Sequence, residues 1–143
     1  DMAMDYSKLR DALVRLQEQL QNYSQMDARP ELTEVDREAI RDSSVKRFEF
    51  AFEMSWKLLK RHLTEELGLA DTPSSPKPIL RIAAENNLLQ DRIDRWLLYA
   101  DARVNTAHDY SGEKAKATLA LAPGFLQDAL DLYRTMTGDA ISA

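Results

Sequence analysis

The sequence contains no cysteine, which removes disulfides, thiolate metal sites and cysteine nucleophiles from consideration. Such a chain suits a reducing compartment, and a cytoplasmic location is the expectation. Glycine (4) and proline (5) are scarce among the 143 residues, which argues against a loop-rich or low-complexity chain. No apolar run approaches the roughly 20 residues needed to cross a bilayer. The opening DMAMDYSKLR lacks the apolar segment of a signal peptide. No membrane association is therefore expected. Windows of alternating, β-branched residues are missing too, so strands are not predicted. There is no HExxH, no glycine-rich phosphate loop and no pair of histidines beside a carboxylate, so no metal and no cofactor is expected.

What is present describes one folded domain, residues 1–143, with 44% apolar and 30% charged residues. The net charge of −5 opposes a surface given over to nucleic acid. The charge is uneven, however. Between Arg41 and His62 stand six basic residues against three acidic ones, so a polyanion would have to approach locally. A solvated helix face with internal ion pairs explains the same run.

The apolar spacing predicts helices throughout. Tyr6, Leu9, Leu13, Leu16, Leu20 and Tyr23 form one stripe of a helix over about 5–25. A long second helix runs from about Thr33 to Leu67 and stops at Gly68, spanning about 50 Å. Its stripe is Phe48, Phe52, Trp56, Leu59, Leu63 and Leu67. A second set, Phe50, Met54 and Leu58, points elsewhere, as in a helix sandwiched by neighbours or by another subunit. Ser75 before Pro76 suits the start of a short helix over about 76–87. Asp91 is the expected cap of a fourth helix ending near His108. Ser111 starts a fifth, which Ala122-Pro123-Gly124 should kink or split. The fold class expected is all-α: an antiparallel four-helix up-and-down bundle plus a short extra helix.

The chemistry-bearing residues cluster in DARVNTAHDY, 101–110. Asp101, Asn105 and His108 share one side of a helix, while Arg103 lies off that stripe on a side chain long enough to curve back. His108, in the last turn, feels the negative end of the helix dipole, which favours imidazolium. An Arg–His pair suits phosphodiester chemistry: the imidazole moves a proton and the guanidinium holds the phosphate. The plainer alternative is a histidine capping its own helix and an arginine paired with Asp101 or Asp94. His62 is expected at the surface. Glu49 and Glu53 are expected to pair with Lys46 or Lys57, and Phe48, Phe52 and Trp56 to be core.

The run RDSSVKRFEFAFEMSWKLLK, Arg41 to Lys60, resembles the signature of the nucleotidyltransferase substrate-binding-protein family of the HEPN superfamily. The resemblance continues through Ser75-Pro76, Ile79, Arg81, Ala83, Leu88, Asp91 and Trp96 into Asp101, Arg103, Thr106, His108 and Tyr110. It implies a homodimer that works beside a minimal nucleotidyltransferase. HepT-like members of such pairs are similar to toxin–antitoxin modules. In these the helical protein is a metal-independent endoribonuclease, silenced when its partner adenylylates a tyrosine. The motif is Arg, four residues, His, one residue, Tyr. Arg103 and His108 would then be catalytic and Tyr110 the acceptor of AMP, with Asp101 and Asn105 in support. The alternative implied by the same family is a non-catalytic substrate-binding subunit, with RNA or a nucleotide as ligand. One position departs from the pattern: Val104 stands where relatives commonly carry a polar residue such as Asn.

Overall fold

The computed structural model describes residues 4–108 and 112–141, with His108 described in its backbone alone. Five α-helices follow in order: α1 (Ser7–Ser24), α2 (Glu34–Glu65), α3 (Pro76–Glu85), α4 (Ile93–His108) and α5 (Gly112–Thr137). A single 3₁₀ turn, Met26–Ala28, links the first two. No strand occurs among the described residues. Helix α1 packs along α2, α5 touches α1, α2 and α4, and the short α3 bridges α2 and α4.

Local chemistry explains most boundaries. Thr33 caps α2 reciprocally: its hydroxyl accepts from the Asp36 amide at 3.1 Å, and the Asp36 carboxylate accepts from the Thr33 amide at 2.9 Å. That backbone donor also lowers the Asp36 pKa. At the other end Gly68 turns the chain out with φ of +71°. Pro76 opens α3 after an extended Ser75, whose hydroxyl makes no capping bond. The loop before it is tied down by Lys60, whose ammonium donates to both Thr72 oxygens and to the Pro73 carbonyl at 2.9–3.0 Å.

The core forms where α1, α2, α4 and α5 meet. Phe125 of α5 sits among Phe48, Trp96 and Tyr99 with ring centroids 5.1, 5.7 and 5.3 Å away, each pair edge-on. Phe48, Phe52 and Phe125 are fully buried, and each contributes roughly 1.5–3 kcal/mol of transfer free energy.

Four expectations are corrected. Asp91 does not cap α4: it is left-handed, with φ of +58°, and α4 begins at Ile93. Arg92 instead supplies the carbonyl that accepts from Arg95 and Trp96. Pro123 does not split α5, which runs as one helix from Gly112 to Thr137. Packing of Ala122 and Phe125, both fully buried, holds the chain helical on either side of the missing donor. His62 is buried, not at the surface: Tyr6 covers it and its Nδ1 shares a hydrogen bond with the Tyr6 hydroxyl at 2.8 Å. Burial lowers its pKa from the ordinary value, against a smaller opposing pull from Glu66. Leu67 lies beyond the end of α2 and is exposed.

Candidate functional site

Helix α4 is fixed by charge at both ends. At its start, Asp128 of α5 is buried and accepts from Arg92 at 2.8 Å, from Arg95 through two bonds of 2.9 Å, and from the Tyr99 hydroxyl at 2.5 Å. Burial, and then the bond to Asp128, push the Tyr99 phenol up to about 12. At its end, Arg103 and Thr106 turn inward to Glu49 of α2. Arg103 Nη1 donates to Glu49 Oε2 at 3.1 Å, and the Thr106 hydroxyl donates to the same oxygen at 2.6 Å. Thr106 also lies 3.2 Å from the Arg103 carbonyl, but its single proton goes to the nearer, charged acceptor.

Arg103 is held yet not saturated. Its Nε is 3.3 Å from Glu53 Oε1, close enough for an ion pair but not aligned, so that buried donor makes no hydrogen bond. Its Nη2 has no protein partner among the described residues. Glu53 is occupied on its other side by Trp56 Nε1 at 3.1 Å and by Lys57 at 3.7 Å. The guanidinium reaches into a groove of about 970 Å³, whose other lining includes Lys46, Arg47, Phe50 and Met54 of α2 and one face of α1.

The structure therefore gives Arg103 partners other than those expected. Asp101 does not reach it; that carboxylate is exposed and pairs with Lys77 of α3 at 2.5 Å. Asn105 and Val104 also face outward, Val104 at 52% exposure. Glu49 pairs with Arg103 across two helices, not with Lys46 along its own. The α4 backbone reaches His108 as expected, while its side chain and the whole of Tyr110 lie outside the described residues.

Two residues of this site carried no role in the motif: Glu49 and Thr106. A signal for Glu49 was present. It falls in register with Val45, Phe48, Phe52 and Trp56, all buried, so a carboxylate stood on an otherwise apolar stripe. Such a group demands charged and hydroxyl partners from another element. Among the described residues, no group of three or more His, Asp or Glu side chains could hold a metal ion. No helix there is long and apolar enough to cross a membrane.

Known proteins share both the sequence and this shape. A Haemophilus influenzae protein named "Probable ribonuclease HepT" is 36% identical over 85 residues, 58% of this chain and 58% of that protein. The chain thus spans less than two-thirds of that relative. HI0074 of Haemophilus influenzae, described as the fold of a substrate binding domain of a nucleotidyltransferase, superposes with a TM-score of 0.82. The identity is 27%, over 92% of this chain and 98% of that one. A crystal structure from Thermus thermophilus superposes at 0.65, with 28% identity over 85% and 98% of the two chains. Residues 4–138 match the family described as nucleotidyltransferase substrate binding protein like. A family match over residues 4–138, with the same fold in HI0074, places the chain: it belongs to the nucleotidyltransferase substrate binding protein like family.

Proposed function

We propose that this chain is the HEPN-type member of a two-component, toxin–antitoxin-like pair with a minimal nucleotidyltransferase, and that it is a metal-independent endoribonuclease. One observation carries the reading. Arg103 is oriented by Glu49 through one nitrogen while its Nη2, without a protein partner among the described residues, is left for a phosphate oxygen at an open groove. His108 ends the same helix, five residues on. In this reading its imidazole takes the proton from a ribose 2′-hydroxyl as that oxygen attacks phosphorus and the bond to the 5′-oxygen breaks. The departing oxygen regains a proton, leaving a cyclic phosphate. Arg103 offsets the charge that builds on the phosphoryl oxygens.

Two copies would meet through α4, since Val104 and Leu98 are large apolar side chains at 52% exposure. Tyr110 would be the tyrosine to which the partner enzyme adds AMP. Val104 favours a second reading, a non-catalytic subunit that presents a substrate or itself to the nucleotidyltransferase. The exposed position next to Arg103 carries no polar group there to align a phosphate.

The test is RNA cleavage by purified protein in excess chelator. Cleavage is expected, and His108→Ala should abolish it without moving the thermal midpoint. RNA that stays intact with a well-folded dimer points instead to the binding subunit. Protein co-expressed with the adjacent nucleotidyltransferase should gain AMP on Tyr110, read by peptide mass. An unmodified Tyr110 peptide throughout rejects that step.

A further inference from the structure

Most arginines of this acidic protein already have a carboxylate. Arg10, Arg29, Arg37, Arg41 and Arg61 pair with Asp11, Glu31, Asp27, Glu34 and Glu65 in turn. The cations of the groove beside Arg103 differ. Lys8, Arg15, Lys46 and Arg47 all line it, and none has a carboxylate within ion-pair distance among the described residues. Among the described residues Arg47 donates only to the Arg15 carbonyl, at 3.3 Å. The acidic groups in the same groove are taken: Asp11 by Arg10, Glu49 by Arg103, and Glu53 by Lys57 as well as Arg103. Four uncompensated charges on a chain of net charge −5 are a local inversion of sign.

Their arrangement is linear. Lys8 and Arg15 are two turns apart on α1, about 10 Å along one face. Lys46, Phe50 and Met54 repeat every four residues on α2, so cation, aromatic and thioether share the opposite face. Phe50 is 56% exposed in a protein whose other phenylalanines are fully buried. The groove continues along α1 into a smaller hollow of about 420 Å³ that shares Asp11, Arg15 and Arg47 and adds Val14 and Glu18. A row of cations with an exposed ring at its centre is what an unpaired polynucleotide requires, charge for its phosphates and a flat face for a base.

We propose that the groove between α1 and α2 is the track along which a single-stranded polynucleotide reaches Arg103. Lys8, Arg15, Lys46 and Arg47 contact its phosphates, and Phe50 stacks on one base. This deepens the ribonuclease reading above and rests on it for the identity of the ligand as RNA.

The probe is a fluorescent 2′-O-methyl RNA 12-mer, which has no attacking hydroxyl and so survives binding. Affinity is measured by anisotropy between 50 and 300 mM salt (chosen conditions, on the order of those that resolve phosphate contacts). Four phosphate contacts on a single strand give a slope of log affinity against log salt of about −2.8. In the double variant Lys46→Ala/Arg47→Ala the slope should shrink to about −1.4. Phe50→Ala should weaken binding roughly ten-fold with the slope unchanged. All three substituted side chains face solvent or the groove, so the helical circular dichroism should be retained.

A slope that the double variant leaves intact overturns the track. So does a Phe50→Ala protein that binds RNA normally but loses its dimer, since the groove then belongs to a second copy. Loss of the nucleotidyltransferase complex by the double variant with RNA binding untouched assigns the groove to that partner, and equally overturns it. Hydrolysis of a dinucleoside monophosphate by the unsubstituted protein tests the ribonuclease reading separately. Turnover with a salt-insensitive 12-mer would sink the track alone; no turnover with the expected slopes would sink the nuclease alone.

Discussion

Asp128 and Glu49 are both buried carboxylates that join helices through a guanidinium and a hydroxyl, yet they are finished differently. Asp128 receives two arginines and a phenol, and its side chain is 1% exposed. Every acceptor direction is used, and no groove of useful size opens there among the described residues. Glu49 has Arg103 and Thr106 among its partners, and the arginine it holds keeps a buried Nε without an aligned acceptor and an Nη2 without a hydrogen bond among the described residues. A closed knot of charge fixes a helix. An open one fixes a helix and leaves donor capacity over a cavity, and the proposed function rests on that capacity.

The largest effect expected comes from breaking the closed knot. Asp128→Ala leaves the Tyr99 hydroxyl buried without its acceptor and frees two arginines, costing about 3 kcal/mol. For a domain of this size that is a fall in thermal midpoint of roughly 10 °C. RNA cleavage per folded molecule should survive at low temperature; its loss in protein of native circular dichroism would show that the two ends of α4 are not independent.

Opening the other knot should have a smaller thermal effect and a larger functional one. Glu49→Gln keeps the shape and one oxygen but removes the charge that orients Arg103, costing about 1–2 kcal/mol. Cleavage should drop at least ten-fold, the order of a mispositioned transition-state donor. A variant that melts earlier but cuts RNA at the full rate would put Glu49 in the same structural class as Asp128.

The smallest effect is a neutral control on both. His62 and Tyr6 form a buried pair whose strength depends on an uncharged imidazole, because burial lowers the His62 pKa below its ordinary 6.5. The unfolded chain binds that proton first on acidification. The stability contributed by neutral His62 is therefore present above about 6.5 and is lost as pH falls toward the lower folded value. The thermal midpoint of the native protein should decline between pH 7 and 5 more steeply than that of His62→Phe. Parallel slopes would remove His62 as the cause.

These regions also show what a sequence reader can and cannot see. The stripe through Phe48, Phe52 and Trp56 was legible because it is written within a few consecutive turns. So was the start of α3 at Ser75-Pro76, though not the missing hydroxyl cap. His62 was misplaced because its cover, Tyr6, is 56 residues away in the chain. A split at Pro123 was one of two outcomes expected, with a kink, because the packing that keeps α5 continuous, around Phe125, comes from α2 and α4. Asp91 has the composition of a cap, but the turn before α4 places it in the left-handed region that Asp tolerates. At the candidate site, the resemblance singled out Arg103, but the partners it has in the bundle were not foreseen. Local spacing offered Asp101, and only the assembled bundle brings α2 alongside.

The two knots lie at opposite ends of α4, a rod of 16 residues and about 24 Å. One end is bolted to α5 and the other to α2, so the rod can neither roll nor slide without rupturing ionic contacts to two separate neighbours. A slip by a single residue would swing each side chain by about 100°, carrying the guanidinium out of the groove altogether. The direction of Arg103 is thus held by two ionic fixtures as well as by the apolar filling between them. Volume-conserving exchanges in that filling should leave the guanidinium where it is.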